Sequence, residues 1–278
     1  MEQLQQAKKE KANEYFYYLG KSSSSKPKQH HLLIYHSLDV AAVATALLQK
    51  NTGFTNDLAK LLELESKELI KLFGFFVAIH DLGKFSSAFQ LLFENSLFTF
   101  NQNGGIKPYD GSEFRHDRLG YYFWQKNEET VTLDLVGEEN LTDNELDEAI
   151  ETLEILLLTV LGHHGKPIKT STFGLKSFIE LHNEQAAADF LQAMLDIFKP
   201  HLPLNLLLDE NWQAKLKQIS WHLAGLAVLA DWLGSNTDFF PYESTPLPLD
   251  EFWLKAQANA CNALQATDIC SCDETANF

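Results

Sequence analysis

The chain is 278 residues long, 45% hydrophobic and 22% charged, which excludes wholesale disorder and leaves room for a large buried core. Its 38 acids against 22 bases give a net charge of -16, so it cannot present the broad basic face that grips a phosphate backbone, and any nucleic acid must be held largely by something else. The longest apolar runs, 155–161 and 223–230, fall short of the roughly 20 residues that cross a bilayer. The opening MEQLQQAKKEK is no secretory leader and Cys261, Cys270 and Cys272 are too few for a disulfide framework, so a soluble, cytoplasmic protein is expected, with no membrane partner.

Helical periods dominate. Val40, Val43, Ala44, Leu47 and Leu48 recur at three- and four-residue spacing and predict an amphipathic helix over 37–50, with Asn51 and Gly53 as its stop. A second helix is expected from Ser66, whose hydroxyl can cap it, to His80; after Leu72 it is apolar nearly all round, the mark of a buried helix. A shorter helix follows over 117–126. Longer ones are predicted over 143–161, over 177–198 before Pro200, over 211–233 before Gly234, and over 249–264. Gly, Pro, Ser and Asn mark loops at 20–29, 100–114 and 241–248. No stretch alternates long enough to predict a strand, so the fold class is all-α, as one domain over 1–265. The segment 266–278 lacks a helical period and reads as a frayed tail or the cut end of something longer. Its Cys270 and Cys272 lack the partner pair that zinc requires.

The chemistry sits at helix ends. His80-Asp81 closes the apolar helix just before Gly83, and successive helical side chains diverge by about 100 degrees, so both can face one cation only where the helix is ending. Alone, the pair fits equally a hydrogen-bonded core histidine beside a turn acid. His163-His164 repeats the pattern before Gly165, and two imidazoles leaving a buried helix are costly unless liganded or paired. Asp231 interrupts the apolar run LAGLAVLADWLG, where a buried carboxylate needs a cation, either a metal or a salt-bridge partner. His36, expected just before the first helix, and His116, opening the helix DRLGYYFWQK, complete five histidines and two aspartates. That number can hold two transition-metal ions if one carboxylate bridges them. Such donors suit manganese, iron, cobalt or nickel, accept zinc, and bind magnesium poorly. Asp117 also follows a histidine, but reads as a helix cap or first-turn acid. The other five histidines, His30, His31, His182, His201 and His222, read as solvated or locally satisfied.

The order His36, His80-Asp81, His116, His163-His164, Asp231 resembles the HD superfamily of metal-dependent phosphohydrolases. Within it the segments YYLGKSSSS, HHLLIYHSLDVAAVA, FFVAIHDLGKFSSAFQ, FRHDRLGYYFW, LGHHG and LADWLGS are similar to the HD nuclease domain of the type I CRISPR-associated helicase-nuclease, the I-E branch in particular. The resemblance implies a helical bundle with its metal site between helix ends, and a nuclease that cuts single-stranded DNA after recruitment by the guide-RNA surveillance complex (Cascade). It implies one ion on His36, His80, Asp81 and Asp231 and a second on Asp81, His116, His163 and His164, with Lys84 near the scissile phosphate and Ser235 bonding a phosphate or a ligand. No Walker-type Gly-Lys-Thr or DEAH-like box occurs, so the superfamily 2 helicase half, a domain or a subunit, is absent from this chain; the chain reads either as a stand-alone HD subunit or as a fragment, and is expected to be a monomer. No Gly-x-Ser-x-Gly or cysteine near the histidines offers a nucleophile, which leaves metal-activated water. Two other classes fit parts of the pattern: an HD phosphohydrolase of nucleotides or cyclic dinucleotides, and a docking module with a vestigial site.

Overall fold

The computed structural model describes residues 14–24, 28–93, 105–138, 140–267 and 269. A 3-10 turn, Glu14–Tyr17, leads into strand β1 (Leu19–Ser22), which pairs antiparallel with β2 (His30–Leu32). The helices then follow as α1 (Leu33–Lys50), α2 (Thr52–Leu61), α3 (Ser66–Ala78), the short α4 (Ser87–Gln90), α5 (His116–Gln125) and α6 (Glu128–Val136). After them come α7 (Asp143–Leu161), α8 (Leu181–Phe198), the short α9 (Leu204–Leu207), α10 (Glu210–Gly234) and α11 (Leu249–Ala266). The fold is all-α apart from the small β-ribbon, and no helix among the described residues is long and apolar enough to cross a membrane. Most of the segment expected as a tail, Cys270 and Cys272 included, lies outside the described residues.

α1 is the central helix. Every residue from Leu33 to Leu48 is buried, and α3, α10 and α11 pack around it. Positions off its apolar stripe are Ala41, Ala42, Thr45 and Ala46, small enough for neighbours to approach from every side, so the expected one-sided helix is fully enclosed. It starts at Leu33, which places His36 inside its first turn rather than ahead of it. At Gly234 on α10 a Cβ would lie 2.9 Å from the Val40 Cα of α1, so glycine alone permits this crossing.

Other local differences have clear causes. Asn51 does stop α1, but its side chain accepts the Phe54 N–H and starts α2, with Gly53 inside the new helix. Ser66 does not cap α3; its hydroxyl donates to Asn56 Oδ1 at 2.8 Å. The helix expected from 177 begins only at Leu181, because Glu180 and Asn183 form a reciprocal cap that holds Ile179 and Glu180 extended. The loop expected at 20–29 contains the end of β1, too short a strand to show alternation.

Candidate metal centre

α3 ends at Ala78, so Ile79, His80 and Asp81 leave the helix before the 3-10 turn Leu82–Phe85. A Cβ on Gly83 would sit 1.7 Å from the His116 carbonyl oxygen and 2.5 Å from the Gly120 nitrogen. The glycine is therefore required for backbone-on-backbone contact, and that contact brings the first turn of α5 and His116 against Asp81. His163 and His164 lie in a 3-10 turn that closes α7 and is ended by Gly165 in the left-handed conformation, φ 78°. α1 supplies His36, and α10, seated by Gly234, supplies Asp231.

The structure brings all seven side chains to one place, with the Asp81 carboxylate at the middle. Its Oδ2 faces His36 Nε2 at 3.0 Å and His80 Nε2 at 3.2 Å; its Oδ1 faces His116 Nε2 at 3.3 Å and His163 Nε2 at 3.8 Å. Asp231 Oδ1 lies 3.6 Å from His36 Nε2 and 3.8 Å from His80 Nε2. His164 Nε2 stands 2.8 Å from His116 Nε2. Asp231 is less enclosed than its apolar neighbours imply, with 28% of its side chain exposed, because the outer face of α10 leaves Trp232 and Val228 in solvent.

Contacts behind the centre fix the imidazoles. His80 Nδ1 lies 2.8 Å from the Val77 carbonyl and His163 Nδ1 lies 3.0 Å from the Val160 carbonyl, so each ring donates there and turns its Nε2 inward. The Tyr109 hydroxyl accepts the His116 main-chain N–H and meets its Nδ1 at 2.9 Å. Burial holds His36, His116, His163 and His164 below the usual histidine range, His163 at about 3, and so keeps them neutral. Burial also works against charge on His80, yet Asp81 and Asp231 outweigh it and push the ring up to about 9. For Asp81 the desolvation is overcome by Lys84 and His80, and for Asp231 by His80 and His36; both carboxyls stay ionised far below their ordinary value.

Lys84 belongs to the same centre, its Nζ 2.5 Å from Asp81 Oδ2. The Ser235 hydroxyl donates to Asp231 Oδ1 at 3.0 Å. Asp117 is a first-turn acid paired with Arg115 at 2.9 Å, and does not cap its helix. Of the remaining histidines, His31 is buried rather than solvated: it accepts the Glu243 N–H at Nδ1 and donates from Nε2 to Asp39 at 2.9 Å. His30 packs edge-on against Phe93 with neither ring nitrogen hydrogen-bonded. Tyr109, in an expected loop, and Gln90, which ties β1 to Lys84, went unnoticed in the sequence because no local pattern marks a long-range hydrogen bond.

The donors suit a cation. Among the described residues His80 Nε2 and Asp81 Oδ1 are buried without a hydrogen-bond partner, and two imidazole nitrogens 2.8 Å apart need a proton or a cation between them. Among the described residues three sets of donor atoms cluster within 4.8 Å: His36, His80 and Asp81; His116, His163 and His164; and His80, His163 and Asp231.

Residues 19–240 match the family model described as Cas3, HD domain. The chain belongs to the Cas3 HD-domain family. It is 29% identical over 236 residues to the CRISPR-associated endonuclease/helicase Cas3 of Escherichia coli (strain K12), covering 80% of this chain and 26% of that protein. The crystal structure of T. fusca Cas3-ATP superposes with a TM-score of 0.63 at 20% identity, over 92% of this chain and 26% of that one. This chain thus spans about a quarter of the length of both relatives. The Thermus thermophilus cas3 HD domain, crystallised in the presence of Ni2+, aligns with a TM-score of 0.55 at 20% identity over 91% of this chain and 90% of that one, and shares its fold. The Cas3 HD match encloses β1, all seven clustered side chains, Lys84 and Ser235.

Proposed function

We propose that the centre holds two divalent transition-metal ions and hydrolyses single-stranded DNA, as the nuclease part of type I CRISPR interference. The observation that carries this reading is Asp81, whose two oxygens face two separate groups of imidazole nitrogens. On that division His36, His80, Asp81 and Asp231 hold one ion, and Asp81, His116, His163 and His164 the other. These donors favour manganese, iron, cobalt or nickel, with zinc acceptable and magnesium poorer. When bound, such ions supply Lewis acidity toward the phosphodiester and make water a nucleophile near neutral pH. The protein's own groups prepare the site: the neutral imidazoles of His36, His116, His163 and His164 present lone pairs, Asp81 and Asp231 stay ionised, and Ser235 orients Asp231. Lys84 adds a positive charge beside Asp81, where the oxygens of a phosphate would lie. With the Ser235 hydroxyl committed to Asp231, water is left as the nucleophile.

All seven groups come from one chain, so a monomer suffices. A net charge of -16 gives it little with which to track a strand, and the E. coli relative is named as both endonuclease and helicase. The reading therefore leaves strand handling to a superfamily 2 helicase part and delivery to the guide-RNA surveillance complex, in the cytoplasm.

The test is cleavage of circular single-stranded DNA titrated with manganese, cobalt, nickel and magnesium, with Asp81→Ala as control and ATP as an added arm. Slow, salt-sensitive, ion-dependent cleavage is expected, unchanged by ATP and abolished in Asp81→Ala with the helical circular dichroism intact. Retained activity of that variant in metal-replete buffer refutes the bridging role. Turnover of nucleotides or cyclic dinucleotides, with none on single-stranded DNA, moves the chain to another class of HD hydrolase.

A further inference from the structure

A second cation, Lys21, stands beside the centre. It belongs to β1, is only partly exposed, and among the described residues its ammonium donates no hydrogen bond and joins no ion pair. Leaving an ammonium half-enclosed and unpaired is costly, and this chain has few bases to spare. Lys84, the other lysine at the centre, is committed to Asp81.

The backbone under Lys21 is fixed with unusual care. At Gly20 a Cβ would come within 3.1 Å of the His36 Cβ and of the Leu33 Cα, so β1 lies directly on the first turn of α1. The next anchor is Gln90, fully buried: its Oε1 accepts the Leu19 N–H at 3.0 Å, while its Nε2 donates to the Leu19 carbonyl at 3.0 Å and to the Lys84 carbonyl at 2.8 Å. One amide thus clamps the strand of Lys21 to the turn of Lys84. The ammonium is close enough to Asp231, Lys84 and Asp81 to interact with each electrostatically, and its charge helps to keep His36 neutral. Burial works to weaken its hold on a proton, with Asp231 opposing.

Beyond Lys21 the surface is shaped to continue away from the centre. A cleft of about 360 Å³ is lined by Ser23, Ser24, Gln29, Thr237, Pro241 and Tyr242. Ser23 and Ser24 follow β1 just after Lys21, and Thr237 lies two residues beyond Ser235, just past the end of α10, so one wall of the cleft starts near Lys21 and the other near Ser235. Hydroxyls suit phosphate oxygens, and a tyrosine ring suits a base.

We propose that Lys21 binds the backbone phosphate next to the scissile one, and that the strand continues into the hydroxyl-lined cleft between Ser23 and Thr237. This rests on the nuclease reading above. Lys21 is then a substrate-binding residue that sets the register of the strand, a part of the DNA contact that the acidic chain keeps for itself. The same clamp makes Gln90 a positioning residue for both lysines.

The experiment compares two substrates on the metal-loaded protein: a single-stranded oligonucleotide, and bis(p-nitrophenyl) phosphate, a diester with no flanking phosphate. Lys21→Met is expected to raise KM for the oligonucleotide about 10-fold with kcat changed far less, and to lower the log–log salt slope of kcat/KM by about 0.7. The loss of kcat/KM on DNA should exceed that on the small diester by about 10-fold, and Lys21→Arg should restore most of it. Equal losses on both substrates, or no loss on either, overturn the proposal. Wild-type protein inactive on both substrates would refute the nuclease reading, and the role of Lys21 with it.

Discussion

The two sides of the centre are built differently. On one side of Asp81, His36 comes from helix α1 and His80 from the step just beyond the end of α3, and both side chains are 1% exposed. His116, on the other side, is 12% exposed, and His164 is open to solvent; they come from the first turn of α5 and a 3-10 turn. Side chains of the first kind cannot move without disturbing helix packing, whereas the second can adjust at the cost of a surface turn. The enclosed pair His36 and His80 therefore sets where the centre stands, and solvent and any ligand reach it past His116, His164 and the partly exposed Asp231.

Breaking the contact that joins the sides should have the largest effect. Gly83→Ala places a methyl group on the His116 carbonyl, which has no room to yield, so α5 must separate from the turn of Asp81. A loss of about 3 kcal/mol or more is expected, roughly 10 °C in Tm, together with the open-side donors. Thermal unfolding and metal content measured on the same sample check this; an unshifted Tm would contradict the close contact.

Next in size is the contrast between the sides. His36→Ala should weaken binding of the first ion by at least about 100-fold and lower stability, since it opens a cavity beside an ionised, buried Asp81. His164→Ala should weaken only the second ion, by roughly 10-fold, with stability unchanged within about 0.5 kcal/mol. Titration calorimetry with manganese separates the two, and identical behaviour of both variants would erase the distinction.

Acidity sharpens it further. His80, held up at about 9 by Asp81 and Asp231, carries a proton at pH 7 when no ion is bound, whereas His163, held near 3, does not. A ligating imidazole must be neutral, so binding on the enclosed side should expel about one proton per ion at pH 7, and its apparent affinity should rise roughly tenfold per pH unit up to about pH 9. Binding on the open side should release almost none. Calorimetry in two buffers of different ionisation enthalpy measures the difference.

The smallest effect is expected behind the donors. Ser235→Ala and Tyr109→Phe each remove one hydroxyl that orients a donor, Asp231 and His116 respectively, and each should cost roughly 10-fold in affinity for the ion on its own side. A crossed pattern, in which Tyr109→Phe weakens the ion of His36, would show that the sides are not separate.

What the sequence revealed follows the range of the interaction responsible. α7 was legible to the residue, because Thr142 and Glu145 form a capping box at one end and Gly162 closes the other. The two doublets were legible because each combines a long apolar helix, two donors and a glycine. The reason for Gly83 was not: it looked like a helix terminator and is a point of contact with a helix over thirty residues away. α2 was hidden by Asn51, which ends one helix and caps the next. β1, the His31–Asp39 pair and the Gln90 clamp depend on partners distant in sequence or on strands too brief to show a period. Which donors share an ion came from the resemblance to a family, since spacing along a chain says nothing about which oxygen of Asp81 faces which ring.

The seat of Gly234 on Val40 has a consequence for the order of assembly. Asp231 is made long after the other six donors, and it reaches them only when α10 has closed onto α1. Until that closure the donor set lacks its second carboxylate, whatever the other six do. Completion of the donor set therefore waits on one helix docking against another.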